Sequence, residues 1–279
     1  MMIRQNFLRE IAHNKVALVS LFVFMVFVLF ALFPSFFAAQ TPDSVTIQDR
    51  MQGFSFQHFL GTDDIGRDLF SRIVYGTRTA FIIVICTMLF SVPFGVCLGV
   101  IAGYRGGFLQ KAALRFTDVW ISIPRLVVAM MVPALFGRTG WGVMIVSISV
   151  AIWPAYTRLA CVETIQIKES DFIHIARLQG ASFLYILRYH LAPIVLPSAV
   201  VRASLDCSTV VLTAASLGFL GLGVSTDVPE WGYMAAQGSS FLLTHPWVAI
   251  VPGGSIFLLS FSMNSLGDAL RDVLNPKEL

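Results

Sequence analysis

Three ionisable residues fall inside otherwise apolar runs of this chain: Arg125, Arg202 and Asp206. Charge inside a bilayer is costly, so such residues pair with each other, carry protons, or line a path for ions or cargo. Arg202 and Asp206 are four residues apart, on one face of a helix. If their run begins near Pro197, Asp206 lies about nine residues in, or roughly 13 Å at 1.5 Å per residue, near the middle of the hydrocarbon layer. It should therefore face a partner, water or a pore. Two readings stay open: an ion pair with Arg202 or Arg125 that locks helices, or a polar patch on a translocation path that contacts cargo.

Other chemistry finds no residues to carry it. There is no H-E-x-x-H motif and no G-x-x-x-x-G-K-[ST] loop; the stretch Gly103–Lys111 comes nearest but has the wrong spacing. The chain is thus not expected to hydrolyse ATP or to act as an enzyme. His13, His58, His174, His190 and His245 all fall in loops or at span edges, which argues against a haem-carrying membrane cytochrome. Cys86, Cys97, Cys161 and Cys207 form no C-x-x-C pair and read as small apolar fillers. No metal site and no cofactor are expected. Gly218, Gly221 and Gly223 end an apolar run without a β-α-β context, so they read as close helix packing rather than a nucleotide loop.

A second constellation lies in the segment Tyr156–Pro197. Ser170 and Asp171 can cap a short helix running to about Gln179, and Gly180 can end it by taking the left-handed conformation. Ser182 can cap a second helix, Phe183–Leu191, stopped by Pro193. Phe172, Ile173 and Ala176 give the first helix an apolar face. That face either docks a partner or packs on the chain's own inner surface.

The elements that must position these groups are membrane helices. Of 279 residues, 56% are hydrophobic and only 13% charged, and Phe occurs 24 times; the mean hydropathy is +0.77. Soluble domains are about 45–50% apolar and about 25% charged. A span needs roughly 20 apolar residues. Val16–Phe33, Ala80–Ala102, Val119–Phe136, Trp141–Ala155, Pro197–Val224 and Pro246–Leu266 qualify, giving an all-α membrane protein of about six spans. With the N-terminus cytoplasmic, the inner segments hold twelve of the 19 basic residues: Arg4, Arg9, Lys15, Arg105, Lys111, Arg115, Arg158, Lys168, Arg177, Arg188, Arg271 and Lys277. This asymmetry favours both termini inside. The first run is longer than a secretory core, and Phe36 and Phe37 occupy the −3 position for cleavage after Ala38 or Ala39, so an uncleaved first span is expected. In the first outer segment, Thr62 and Asp63 can cap an amphipathic elbow helix from about Asp64 to Tyr75, supported by an Asp68–Arg72 pair.

Four blocks carry a resemblance. Ile173-His-Ile-Ala-Arg-Leu-Gln-Gly180-Ala-Ser182, with His190 and Pro193 downstream, resembles the E-A-A-x-x-x-G cytoplasmic loop of ABC importer permeases. Ala176, Gly180 and Pro193 match, while His174 takes the acidic position and Ile175 the first alanine. The stretch from His58 through Gly61-Thr-Asp-Asp-Ile-Gly-Arg-Asp68 to Arg72 resembles the outer-loop signature of the second permease subunit of dipeptide, oligopeptide and nickel importers. Leu217-Gly-Phe-Leu-Gly-Leu-Gly223 with Pro229-Glu-Trp-Gly232 is similar to that family's fifth span, and Asn264–Asp272 with Asn275-Pro276 to its C-terminus. The resemblance implies the type I importer permease fold in a prokaryotic inner membrane. It also implies four kinds of partner: a homologous second permease subunit, two cytoplasmic ATP-binding subunits, an extracytoplasmic substrate-binding protein and membrane lipid. No nucleic-acid partner is expected. Residues 1–15 and 271–279 would be cytoplasmic, 16–33 the first span, 34–78 extracytoplasmic, and 79–270 the permease core with its coupling loop at 156–196. The ATPase-coupling residues would be Phe172, Ile173, His174, Ala176, Arg177, Gly180, Ala181 and Ser182, with Arg125, Arg202 and Asp206 on the translocation path. The cargo would be peptides, nickel or a metal chelate. The competing classes are an ion-coupled secondary transporter and a membrane-embedded enzyme.

Overall fold

The computed structural model describes residues 14–224 and 227–274. Arg4, Arg9, Asn275, Pro276 and Lys277, which entered the orientation and C-terminal readings, lie outside the described residues. In chain order the main helices are α1 (Lys15–Leu32), α2 (Leu69–Arg105), α3 (Gly107–Ser122), α4 (Arg125–Phe136), α5 (Trp141–Ile167), α6 (Asp171–Leu178), α7 (Phe183–Ile186), α8 (Ala192–Phe219), α9 (Trp231–Ser239) and α10 (Trp247–Leu274). Among the described residues there is no strand.

Five helical stretches are long and apolar enough to cross a membrane: α1, α2, α5, the run from α7 through α8, and α10. The expected third span, Val119–Phe136, is instead divided between α3 and α4, which meet at 92°. Pro124 is the cause. It has no N–H to donate, and it holds Ile123 extended at φ −84°, ψ 133°. Taken as one broken span, the pair brings the number to six.

The outer segment also differs from expectation. Residues 61–68 form no helix. They make a tight loop in which Thr62 bridges to Asp68, and α2 starts only at Leu69, capped by Asp68 accepting from the Ser71 N–H at 2.8 Å. No separate elbow precedes the second span, because the capping carboxylate is Asp68 and not Thr62 or Asp63. Asp68 spends its other oxygen on His58 Nδ1 at 2.9 Å, so the expected pair with Arg72 is not made. Arg72 donates instead to the Pro42 carbonyl at 2.9 Å.

The core is built on α2 against α5. Gly95, Gly99 and Gly103, one per turn of α2, lie so close to α5 that a methyl on any of them would collide with the backbone carbonyls of Trp153, Thr157 and Cys161. Small residues allow such approach between membrane helices, where dispersion and hydrogen bonds replace the hydrophobic effect. The approach seats Tyr156 on α5, fully buried, beside Asp206 on α8. Large apolar side chains such as Phe22, Leu89, Phe90 and Leu135 stay exposed on the outside. Water would penalise that surface, whereas lipid is its natural solvent.

Candidate functional site

Asp206 sits at the middle of α8, fourteen residues from its start, and is 4% exposed. Oδ1 accepts from Arg125 Nη1 at 3.2 Å, and Oδ2 accepts from Arg202 Nε at 2.9 Å and from the Tyr156 hydroxyl at 3.1 Å. Three elements therefore converge on one carboxylate. Arg202 arrives through helical periodicity, and Tyr156 through the glycine-lined contact of α2 and α5. Arg125 is delivered by the bend at Pro124, which makes it the first residue of α4. A cation at a helix N-terminus is disfavoured by the helix dipole, so it gains from the Asp206 counter-charge.

Arg125 and Arg202 both line an open groove of about 470 Å³ whose walls include Trp120, Arg158, Glu163 and Gln166. Arg158 was expected in a cytoplasmic loop. It lies instead within α5, because that helix continues past Ala155 to Ile167, and it pairs with Asp118 at 2.8 Å. The groove thus sets three arginines, Arg125, Arg158 and Arg202, among apolar lining residues such as Ile121, Ile123 and Leu159.

The second assembly is the hairpin of α6 and α7. A double hydrogen bond closes its turn: the Gly180 N–H donates to the Arg177 carbonyl at 2.9 Å and the Ala181 N–H to the Ala176 carbonyl at 3.0 Å. Gly180 has φ +79°, the left-handed conformation read from the sequence. A methyl placed there would meet nothing within 4 Å. Ser182 caps α7 by accepting from the Tyr185 N–H. Ser170 does not cap α6 with its side chain, because its hydroxyl turns back to the Ile167 carbonyl at 2.6 Å. Nor does Pro193 stop the second helix. A wide π turn over Leu187–Leu191 absorbs the missing N–H, with the Ala192 N–H reaching back five residues to Leu187, and the helix runs on into α8.

The hairpin has two apolar sides. Ile173 and Ala176 point inward and pack with Ile186, Leu191, Val100 of α2, Ala160 of α5 and Val195 of α8. Arg177 joins the same side, its guanidinium 4.8 Å above the Tyr104 ring and donating to the Tyr104 hydroxyl at 3.2 Å. Of the three residues expected to form one apolar face, only Phe172 lies outside. With it are Ile175, Leu178, Leu184 and Tyr185, all exposed, Leu178 to 87%. The spacing of Phe172, Ile175 and Leu178 at i, i+3, i+6 was the available signal for this second stripe. His174 is half-exposed and lies 3.5 Å from Glu169, and Gly180 and Ser182 are exposed at the tip. Tyr156 was missed in the sequence because a single tyrosine in an apolar run gives no local sign of its partner.

Comparisons with known proteins agree over nearly the whole chain. Residues 95–277 match the model of the binding-protein-dependent transport system inner membrane component family, and residues 3–58 match the N-terminal TM domain of oligopeptide transport permease C. The dipeptide transport system permease protein DppC of Alkalihalophilus pseudofirmus is 35% identical, with 96% of this chain and 88% of that protein aligned. The di/tripeptide transport system permease protein DppC of Pseudomonas aeruginosa is 33% identical over 98% and 92%. The glutathione transport system permease protein GsiD of Pectobacterium atrosepticum is 39% identical over 82% and 76%. The fold is similar to a chain of the MetNI methionine ABC transporter in an inward-facing crystal form, with a TM-score of 0.52 at 21% identity, covering 72% of this chain and 94% of that one.

Proposed function

Since the chain belongs to the family of binding-protein-dependent transport system inner membrane components, we propose that it is the permease subunit of an ABC importer that carries peptides. Membership sets aside the ion-coupled transporter and the membrane enzyme. The relatives named above carry dipeptides, di/tripeptides or glutathione by name, and this supports a peptide cargo over nickel or a metal chelate. In this reading the chain pairs with a homologous second permease subunit. Two cytoplasmic subunits hydrolyse ATP, and an extracytoplasmic binding protein delivers the cargo. Both termini are cytoplasmic, in keeping with the basic residues of the inner segments. Arg125, Arg202 and Asp206 stand on the translocation path.

One observation carries the coupling role: a hairpin anchored on one side and bare on the other. Ile173, Ala176 and Arg177 fix α6 to α2, α5 and α8, while Phe172, Ile175, Leu178, Leu184 and Tyr185 present an exposed apolar row, its Phe172 and Tyr185 rings flanking His190. A docked ATPase covering that row would move the three helices together through the rigid side. His174, Gly180, Ala181 and Ser182 shape the tip rather than supply the contact.

Gly180→Val tests this reading. With open space around the Cβ position, the substitution's local cost is the left-handed penalty, at least roughly 1–2 kcal/mol for a β-branched residue, confined to the exposed tip, so the chain should insert at normal yield. The distorted tip should uncouple ATP hydrolysis from peptide uptake in the reconstituted complex. Normal uptake per ATP in that variant would refute the coupling role.

A further inference from the structure

The mid-bundle cluster holds more positive charge than it neutralises. At the level of Asp206 two guanidinium groups face one carboxylate. A guanidinium has five N–H donors, yet among the described residues Arg125 and Arg202 each spend a single hydrogen bond, both on Asp206. Their side chains are 36% and 37% exposed and line the groove, whereas the Asp206 side chain is 6% exposed and lies behind them. Arg158 is already engaged by Asp118. Glu163, the carboxylate of the groove wall, forms no ion pair with Arg125 or Arg202 among the described residues. Two guanidinium groups therefore share one carboxylate within ion-pair distance, and most of their N–H donors stay unspent beside the groove.

Resting on the translocation-path reading above, we propose that Arg125 and Arg202 form a docking station for a free carboxylate of the cargo, such as a peptide C-terminus. The planar fork of arginine suits a carboxylate, and two forks around a fixed Asp206 leave room for one more anion. Asp206 gives the station its second property. It competes for the same donors, so the arriving carboxylate is held loosely and can leave, as passage requires. The Tyr156 hydroxyl keeps Asp206 from turning into the groove itself.

The test uses the assembled complex with Cys86, Cys97, Cys161 and Cys207 replaced and Ala155→Cys introduced on the groove wall next to Tyr156. Thiol modification is timed with anionic sulfonatoethyl methanethiosulfonate and with its cationic trimethylammonioethyl counterpart, each normalised to its rate on a small free thiol. A net unit charge at roughly 8 Å in an effective dielectric of about 20–80 should make the anionic reagent faster by about fivefold or more. Arg202→Gln should bring the ratio near one, and Asp206→Asn should raise it. Acetate should slow the anionic reagent more than chloride at equal ionic strength. Equal labelling by both reagents, unmoved by Arg202→Gln, overturns the carboxylate station and leaves the path reading intact. No labelling by either reagent in any nucleotide state removes the path and the station together.

Discussion

Glu230 offers a measurable pH signature. It precedes α9, is 5% exposed, and accepts from the Gly232 and Tyr233 N–H groups at 2.8 Å each. Gly218 and Gly223 leave the space its carboxylate fills. Burial pushes the carboxyl from 4.5 up to about 7, and the two N–H donors only partly offset it. Between those pH values the folded chain holds a proton that the unfolded chain releases. Stability therefore falls as pH rises through 4.5 to 7 and is level above. At 1.36 kcal/mol per pH unit the loss is roughly 3 kcal/mol. Glu230→Gln stays neutral throughout and keeps one acceptor for the same N–H pair. It should match the parent near pH 4 and exceed it by up to roughly 3 kcal/mol at pH 8, a rise of about 5–10 °C in apparent Tm for a chain of this size. The assay is thermal unfolding of the purified protein in detergent at one scan rate, since such unfolding is often irreversible. Other titrating groups cancel in the difference between the two proteins. The reasoning fails if that difference is the same at pH 4 and pH 8.

Two further outcomes follow from the packing and the topology. Gly99→Val places a branched side chain against the α5 backbone, and overpacking of about 1–3 kcal/mol should lower yield and apparent Tm; Gly142→Ala, with nothing within 4 Å, is the control and should behave as the parent. A reporter active only outside the cytoplasm should be active when fused within residues 227–245 and silent when fused within the α6–α7 hairpin; the reverse pattern would invert the orientation.

Much of this protein was legible in its residues because the responsible forces are local or solvent-driven. Long uncharged runs such as Val16–Phe33 and Ala80–Ala102 read as spans because lipid demands about 20 apolar residues, whatever their neighbours are. The hairpin read correctly at Gly180 and Ser182 because a helix stop and a cap depend on one or two residues. The four blocks that resemble importer permeases placed the family before any coordinate did. Local signals also misled where several residues competed for one role. Asp68 rather than Thr62 or Asp63 caps α2, and a π turn carries the chain through Pro193.

Tertiary structure decided what depends on distant parts of the chain meeting. Proline 124 could be seen, but not that its 92° bend would bring Arg125 onto Asp206, eighty-one residues away. Tyr156 joins them only because Gly95, Gly99 and Gly103 let α2 and α5 close to backbone contact. Ile173 and Ile175 are alike in type and differ in fate: one is buried on α2, α5 and α8, the other is 53% exposed. Helical spacing sorts residues into faces, but which face meets the body of the protein is fixed by the direction in which the chain folds back, and no local sequence carries that direction.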